Sequence, residues 1–156
     1  MTNEKEMVAV IPARRGSKRV PQKNRLVLGA KSLLARTVEC IESSNCIDRT
    51  ILSTNDPDLA REAAAYSNLE LEDRPEHLAG EEATTEAAIS DLISRKNLES
   101  STIALLQLTS PFRTPGDIAT LIAKMREAGA SSGVSVSRWR SPPSRPFGSC
   151  SDDDAL

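Results

Sequence analysis

The chain opens its ordered pattern with an unbroken apolar run, Val8-Ala9-Val10-Ile11, closed by Pro12. A short run with no polar alternation is the mark of a strand buried on both faces, as in a parallel sheet. Further on, Leu33, Leu34, Val38 and Ile41 recur at helical spacing within residues 31–43. Residues 50–54 read as a second strand, and Asn55-Asp56-Pro57 supplies a cap and a helix start for residues 59–66. Residues 69–71 make a third strand, short enough for a sheet edge. Residues 73–83 show no period and read as a loop, and residues 84–96 carry Ala88, Ile89, Leu92 and Ile93 on one helical stripe. Residues 102–108 form a second strongly apolar strand, expected at the sheet centre. Thr114-Pro115-Gly116-Asp117 then starts a helix running to about residue 128, with Ile118, Leu121, Ile122 and Met125 inward. Residues 133–137 alternate and read as one more strand. Strands alternating with helices predict an α/β fold with a mainly parallel sheet and right-handed crossovers.

The chemistry gathers just after the first strand. Arg14, Arg15, Lys18, Arg19 and Lys23 place five cations within ten residues, at the sheet edge where open α/β folds bind ligands. Such a cluster repels itself unless an anion is held, so the loop is a candidate polyphosphate site. Gly16 can take positive φ and let a phosphate approach the backbone, Pro12 and Pro21 stiffen the two ends, and Ser17 adds a hydroxyl. The same residues also fit a solvated basic loop. This is not a Walker A loop, because position 11, five residues before Gly16, holds Ile rather than Gly.

Composition narrows the field. A chain of 156 residues suits one core, and a net charge of −2 argues against a general nucleic-acid or membrane-surface binder. No apolar run approaches the length of a membrane span. Cys40, Cys46 and Cys150 are odd in number and lack metal or redox spacing, which suits reduced thiols in a cytoplasm. Four aromatics, Tyr66, Phe112, Trp139 and Phe147, are too few for base-stacking platforms. His77 stands alone in an acidic loop, and no serine elbow accompanies it, so hydrolase chemistry has no support. Asp152-Asp153-Asp154 reads more readily as a solvated acidic run than as a metal site.

The stretch I-P-A-R-x-G-S-K-x-x-P-x-K-N over residues 11–24 resembles the signature of the acylneuraminate cytidylyltransferases, the CMP-sialic acid synthetases. The related CMP-Kdo synthetases share the strand and first arginine but usually read S-T-R-x-P-G-K, so Lys18 and Lys23-Asn24 favour the sialic-acid branch. Two further stretches carry the likeness. Arg74-Pro75 through Thr85 is similar to the family's pyrimidine-holding loop, with Arg74, Ala83 and Thr85 in matching places. Glu81-Glu82 departs from the aspartate-containing version common there. Residues 107–113, Q-L-T-S-P-F-R, are similar to the family's Q-x-T-S-P-x-R. On the residues alone, Arg74 can equally cap a helix C-terminus, Thr85 start a helix, and Arg113 serve a structural ion pair.

The resemblance implies a three-layer Rossmann-like nucleotidyltransferase fold, with a nucleotide-binding domain over residues 1–140 and a Pro/Ser/Asp-rich tail over 141–156. It implies transfer of CMP from CTP to a nine-carbon α-keto acid sugar of the sialic acid type with release of pyrophosphate; the alternatives are a CMP-Kdo, pseudaminic or legionaminic acid synthetase, or a truncated noncatalytic nucleotide-binding domain. Arg14 and Lys23 would neutralise charge in catalysis. Ala13, Arg14, Gly16, Ser17, Lys18, Asn24, Arg74, Ala83 and Thr85 would hold the nucleotide, and Gln107 the sugar. Mg²⁺ is the expected cofactor, with no ligand assigned in this chain. The family pattern continues with a dimerisation segment, sugar-binding arginines and a late strand bearing metal-binding aspartates. The closing S-D-D-D-A-L reads like the middle of a domain, so a fold truncated at its C-terminus is expected, binding CTP weakly and turning over slowly.

Overall fold

The computed structural model describes residues 5–16, 20–80 and 82–136. Its organising element is β1, Met7–Pro12, whose first five residues are all buried. This strand pairs in parallel with β4, Arg49–Thr54, and with β6, Thr102–Leu105. With β5, Leu69–Asp73, on the far side of β4, the sheet order is β5-β4-β1-β6. All four strands run the same way.

The pleat explains why β1 tolerates no polar residue. Met7, Ala9 and Ile11 turn to one face, where they meet Leu34 and Val38 of α1 (Leu33–Ser44), Leu59 of α2 (Pro57–Ala63) and Ile118 and Ile122 of α5 (Pro115–Ala128). Val8 and Val10 turn to the other and pack with Ile51, Leu92 of α4 (Thr85–Lys96) and Leu98. Each fully buried aliphatic side chain contributes about 1.5–3 kcal/mol by leaving water. The resulting order is helix layer, sheet, helix layer. Crossovers that step from β1 to β4 to β5 use α1 and α2 on one face. The return from β5 to β6 uses α4 on the other, as a uniform crossover hand requires.

Local chemistry sets the helix ends. Ser32 Oγ accepts from the Ala35 amide at 3.0 Å, so α1 begins at Leu33 rather than residue 31. Lys31–Ser32 (β3) instead pairs antiparallel with Val27–Leu28 (β2). Asp56 Oδ1 caps α2 through the Asp58 amide at 3.0 Å, with Pro57 in the first turn; the helix stops at Ala63, short of the expected residue 66. Thr114 and Asp117 form the capping box expected for α5.

Three expectations are corrected. Residues 73–83 are not all loop: Asp73 ends β5, and Glu76–Ala79 forms a single turn, α3, too short to show a period. β6 ends at Leu105 and lies at the edge of the described sheet, not its centre. Its outer side borders an open cleft of about 510 Å³ towards α5, which is why Leu105 is 44% exposed. Residues 133–136 are not a strand; their Val134 and Val136 are exposed. Ser137 and the tail over residues 141–156 lie outside the described residues.

The edge strand β5 is guarded by charge. Arg49 Nε and Nη2 donate to the two Glu70 carboxylate oxygens at 2.8 and 3.0 Å, and this fork holds the Glu70 pKa below the usual glutamate range. A depressed carboxylate contributes stability that is present at neutral pH and lost as pH falls through its folded pKa. Glu70→Gln should therefore flatten the decline in unfolding midpoint between about pH 5 and pH 3, measured by denaturant titration at each pH. An unchanged pH profile would show the fork to be inert.

Candidate functional site

The residues singled out after β1 emerge at the carboxyl edge of the sheet, beside the β1–β6 boundary where strand order reverses. The loop there is fixed by its backbone. The Ala13 amide donates to Ser53 O at 2.9 Å, and the Thr54 hydroxyl donates to Ala13 O at 2.6 Å. The Arg15 amide donates to Asn55 Oδ1 at 2.8 Å, and Asn24 Nδ2 donates to Arg14 O at 3.1 Å. Gly16 follows at φ 84°, the left-handed conformation expected of a glycine at this turn.

Arg14 and Arg74 are brought together from positions far apart in the chain. Arg14 Nη1 donates to Gly80 O at 3.1 Å and lies 3.5 Å from Ala79 O. Arg74, only 4% exposed, follows β5 directly, and its Nε donates to Leu78 O at 2.7 Å. The carbonyls that close α3 thus receive both guanidiniums. Burial draws the Arg74 pKa below the usual arginine value, and the charge of Arg14 draws it further. Among the described residues no carboxylate pairs with either side chain. Two cations held by neutral carbonyls, one of them buried, form a site whose charge suits an anion.

The remaining candidates divide. Ala13 is buried in the loop root, and Asn24, 7% exposed, acts on Arg14 through its carbonyl. Thr84, not Thr85, caps α4, its Oγ1 accepting from the Ala87 amide at 3.1 Å. This places Thr85 at the first helical position, with Ala83 in the half-buried approach. Lys23 stands exposed in a single 3-10 turn, Lys23–Arg25, without a side-chain partner among the described residues. Ser17 and Lys18 lie outside the described residues. Gln107 is exposed just past β6, across the strand-order reversal from Arg14. Arg113 Nη2 donates to Gln107 O at 3.2 Å, a neutral carbonyl rather than the ion-pair partner considered for it, while Thr109 reaches Gln107 Oε1 at 3.4 Å.

The described residues do not provide a magnesium shell. No group of three or more His, Cys, Asp or Glu side chains among them is arranged to hold a metal. Asp56, the carboxylate that follows Asn55, is engaged in capping α2. No chemical step is therefore assigned to a metal held by these residues.

Comparison with known proteins decides the family. The profile described as "Cytidylyltransferase" matches residues 8–142, from β1 past the end of α5. The chain belongs to the cytidylyltransferase family. A CMP-N,N'-diacetyllegionaminic acid synthase of Legionella pneumophila subsp. pneumophila is 35% identical over 141 residues, covering 88% of this chain and 60% of that protein. An N-acylneuraminate cytidylyltransferase of Escherichia coli O18:K1:H7 is 37% identical over 108 residues, covering 69% of this chain and 25% of that one. The chain thus spans less than two thirds of the length of these relatives. Among solved structures, a CMP:2-keto-3-deoxy-manno-octonic acid synthetase complexed with CTP superposes with a TM-score of 0.67 at 25% identity. That match covers 80% of this chain and 49% of the other. The fold is the Rossmann-like one of the nucleotidyltransferases, as expected. No helix among the described residues is long and apolar enough to cross a membrane.

Sequence reasoning missed two residues that hold the loop after β1, Thr54 and Asn55. They read as a strand end and a helix cap, and their loop partners lie 41 and 40 residues away.

Proposed function

We propose that this chain is the nucleotide-binding part of a cytidylyltransferase that transfers CMP from CTP to a nine-carbon α-keto acid sugar, releasing pyrophosphate. The observation that carries this reading is the Arg14–Arg74 pair, which lacks a carboxylate partner among the described residues and gathers at the carboxyl edge of the sheet, Arg14 from the end of β1 and Arg74 from the end of β5. In the transfer, the sugar hydroxyl oxygen forms a bond to the α-phosphorus. The bond from that phosphorus to the bridging oxygen breaks, pyrophosphate leaves with the electron pair, and the hydroxyl proton passes to solvent. Charge on the phosphate oxygens is what the chain must stabilise, so catalysis is positioning and electrostatics.

In this reading Arg14 and Lys23 oppose the developing charge, a guanidinium spanning two oxygens and an ammonium acting as a point charge. The loop amides near Gly16 and Ser17, with Lys18, take the β- and γ-phosphates, while Ala13 roots the loop and Asn24 holds it against the nucleotide. Arg74, Ala83 and Thr85 line the pyrimidine side, and Gln107 meets the sugar. Divalent metal would enter with the triphosphate, and the reduced cysteines fit a cytoplasmic protein. The legionaminic-acid relative, matched over 88% of this chain, favours a nine-carbon acid as the acceptor. Homodimer formation belongs to the same proposal.

Calorimetric titration of CTP, UTP and ATP with Mg²⁺ into this chain tests the nucleotide assignment. The expected result is measurable CTP binding at least about tenfold tighter than UTP or ATP, a difference of about 1.4 kcal/mol. Equal affinity for all three would leave a general anion site and remove the cytidylyl assignment.

A further inference from the structure

We propose that Thr54 and Asn55, at the end of β4, are positioning residues that set where Arg14 and Arg74 stand relative to one another. The inference rests on the nucleotide reading above and extends it to two residues outside the family motifs. Thr54 is 2% exposed and makes three ties at once. Its hydroxyl donates to Ala13 O at 2.6 Å and accepts from the Asp56 amide at 3.0 Å, while its carbonyl accepts from the Arg74 amide at 3.0 Å. Asn55 Oδ1 takes the Arg15 amide at 2.8 Å. Arg14 is therefore bracketed: the residue before it is held by Thr54, the residue after it by Asn55. Arg74 hangs from the same Thr54 peptide.

The arrangement matters because neither guanidinium is anchored by a described carboxylate. Among the described residues Arg14 is held at its tip by the neutral Gly80 and Ala79 carbonyls, and the like charge of Arg74 works against the pair. Side-chain position then follows from backbone position, and among the described residues the hydrogen bonds of residues 53–55 tie both backbones to the end of β4. A fork that must meet phosphate oxygens loses affinity when displaced by about an ångström.

Thr54→Val keeps the shape and removes the hydroxyl; Thr54→Ser keeps the hydroxyl. Asn55→Ala removes the acceptor, and Asn55→Asp keeps an oxygen there. Two readouts apply to the whole chain: CTP affinity with Mg²⁺, and backbone amide hydrogen exchange at Asp56, which bonds the Thr54 hydroxyl, and at Ala13, Arg15 and Arg74, which the clamp holds in place. Thr54→Val and Asn55→Ala should each weaken CTP about tenfold or more, within the range for one lost charge-assisted contact. They should also speed exchange at those amides. Thr54→Ser should recover CTP affinity, and Asn55→Asp should restore slow exchange at Arg15. Ser32→Ala, which removes the α1 cap, serves as a control of lowered melting temperature without CTP loss. Unchanged exchange, or CTP loss no greater than in Ser32→Ala, overturns the positioning role. A wild-type chain that binds no CTP overturns the nucleotide reading itself and the clamp's purpose with it. Wild-type binding with undiminished binding by the variants overturns the clamp alone.

Discussion

Arg14→Ala is expected to lower CTP affinity about 10- to 100-fold while moving the thermal midpoint by no more than a few degrees. A hydrogen bond to a charged group contributes about 1.5–3 kcal/mol, and each 1.4 kcal/mol is tenfold in affinity. The fold loses far less, because among the described residues Arg14 donates to two neutral carbonyls, at 3.1 and 3.5 Å, and only the shorter is a well-formed bond. A loss near 1 kcal/mol corresponds to about 2–4 °C in a domain of this size. Arg14→Lys should fall between, since it keeps the charge and loses the planar fork. Calorimetry and thermal unfolding on the same preparations separate the two effects. CTP affinity unchanged in Arg14→Ala would remove the loop from the nucleotide site and leave it as solvated surface.

How much of this was legible in the chain depended on whether the deciding partners were near in sequence. The run Val8–Ile11 announced β1 because a strand buried on both faces must be apolar at every position, and all four residues are fully buried. The cap residues Asp56, Thr114 and Asp117 were legible because their partners lie two or three residues away. β6 was misplaced because an apolar composition says that a strand is covered, not which neighbours pair with it; Leu105 in fact looks into the open cleft. Glu76–Ala79 was hidden because one helical turn has no period. The tie from Thr54 to Ala13 spans 41 residues, and that from Asn55 to Arg15 spans 40. Nothing local in Ser-Thr-Asn-Asp distinguishes a loop clamp from a strand end leading to a helix cap. The meeting of Arg14 with the segment after Arg74 spans 66 residues, and it was reached only through the family likeness.

Arg74→Met should remove about two thirds of the protection that CTP gives against heat while leaving the unliganded chain about as stable as before. In the free protein the substitution removes one hydrogen bond, to Leu78 O, but also removes a buried cation that Arg14 repels. Exchange of buried charge for an apolar side chain of similar length is commonly neutral, so the net change should lie within about 1 kcal/mol of zero. With CTP at about one hundred times the wild-type Kd, binding adds about 2.7 kcal/mol to the folded state. That increment raises the midpoint by about 5–10 °C in a domain of roughly 150 residues. A 30-fold weaker Kd leaves about 0.9 kcal/mol of the increment and a shift of only about 2–3 °C. A purely structural Arg74, serving only to cap α3, predicts the reverse: the unliganded midpoint drops and the CTP increment survives. Thermal unfolding with and without CTP, on wild type and Arg74→Met, therefore yields two differences of opposite diagnostic value. A full ligand-induced shift in the variant would take Arg74 out of the nucleotide site and leave Arg14 without the second cation on which the anion argument depends.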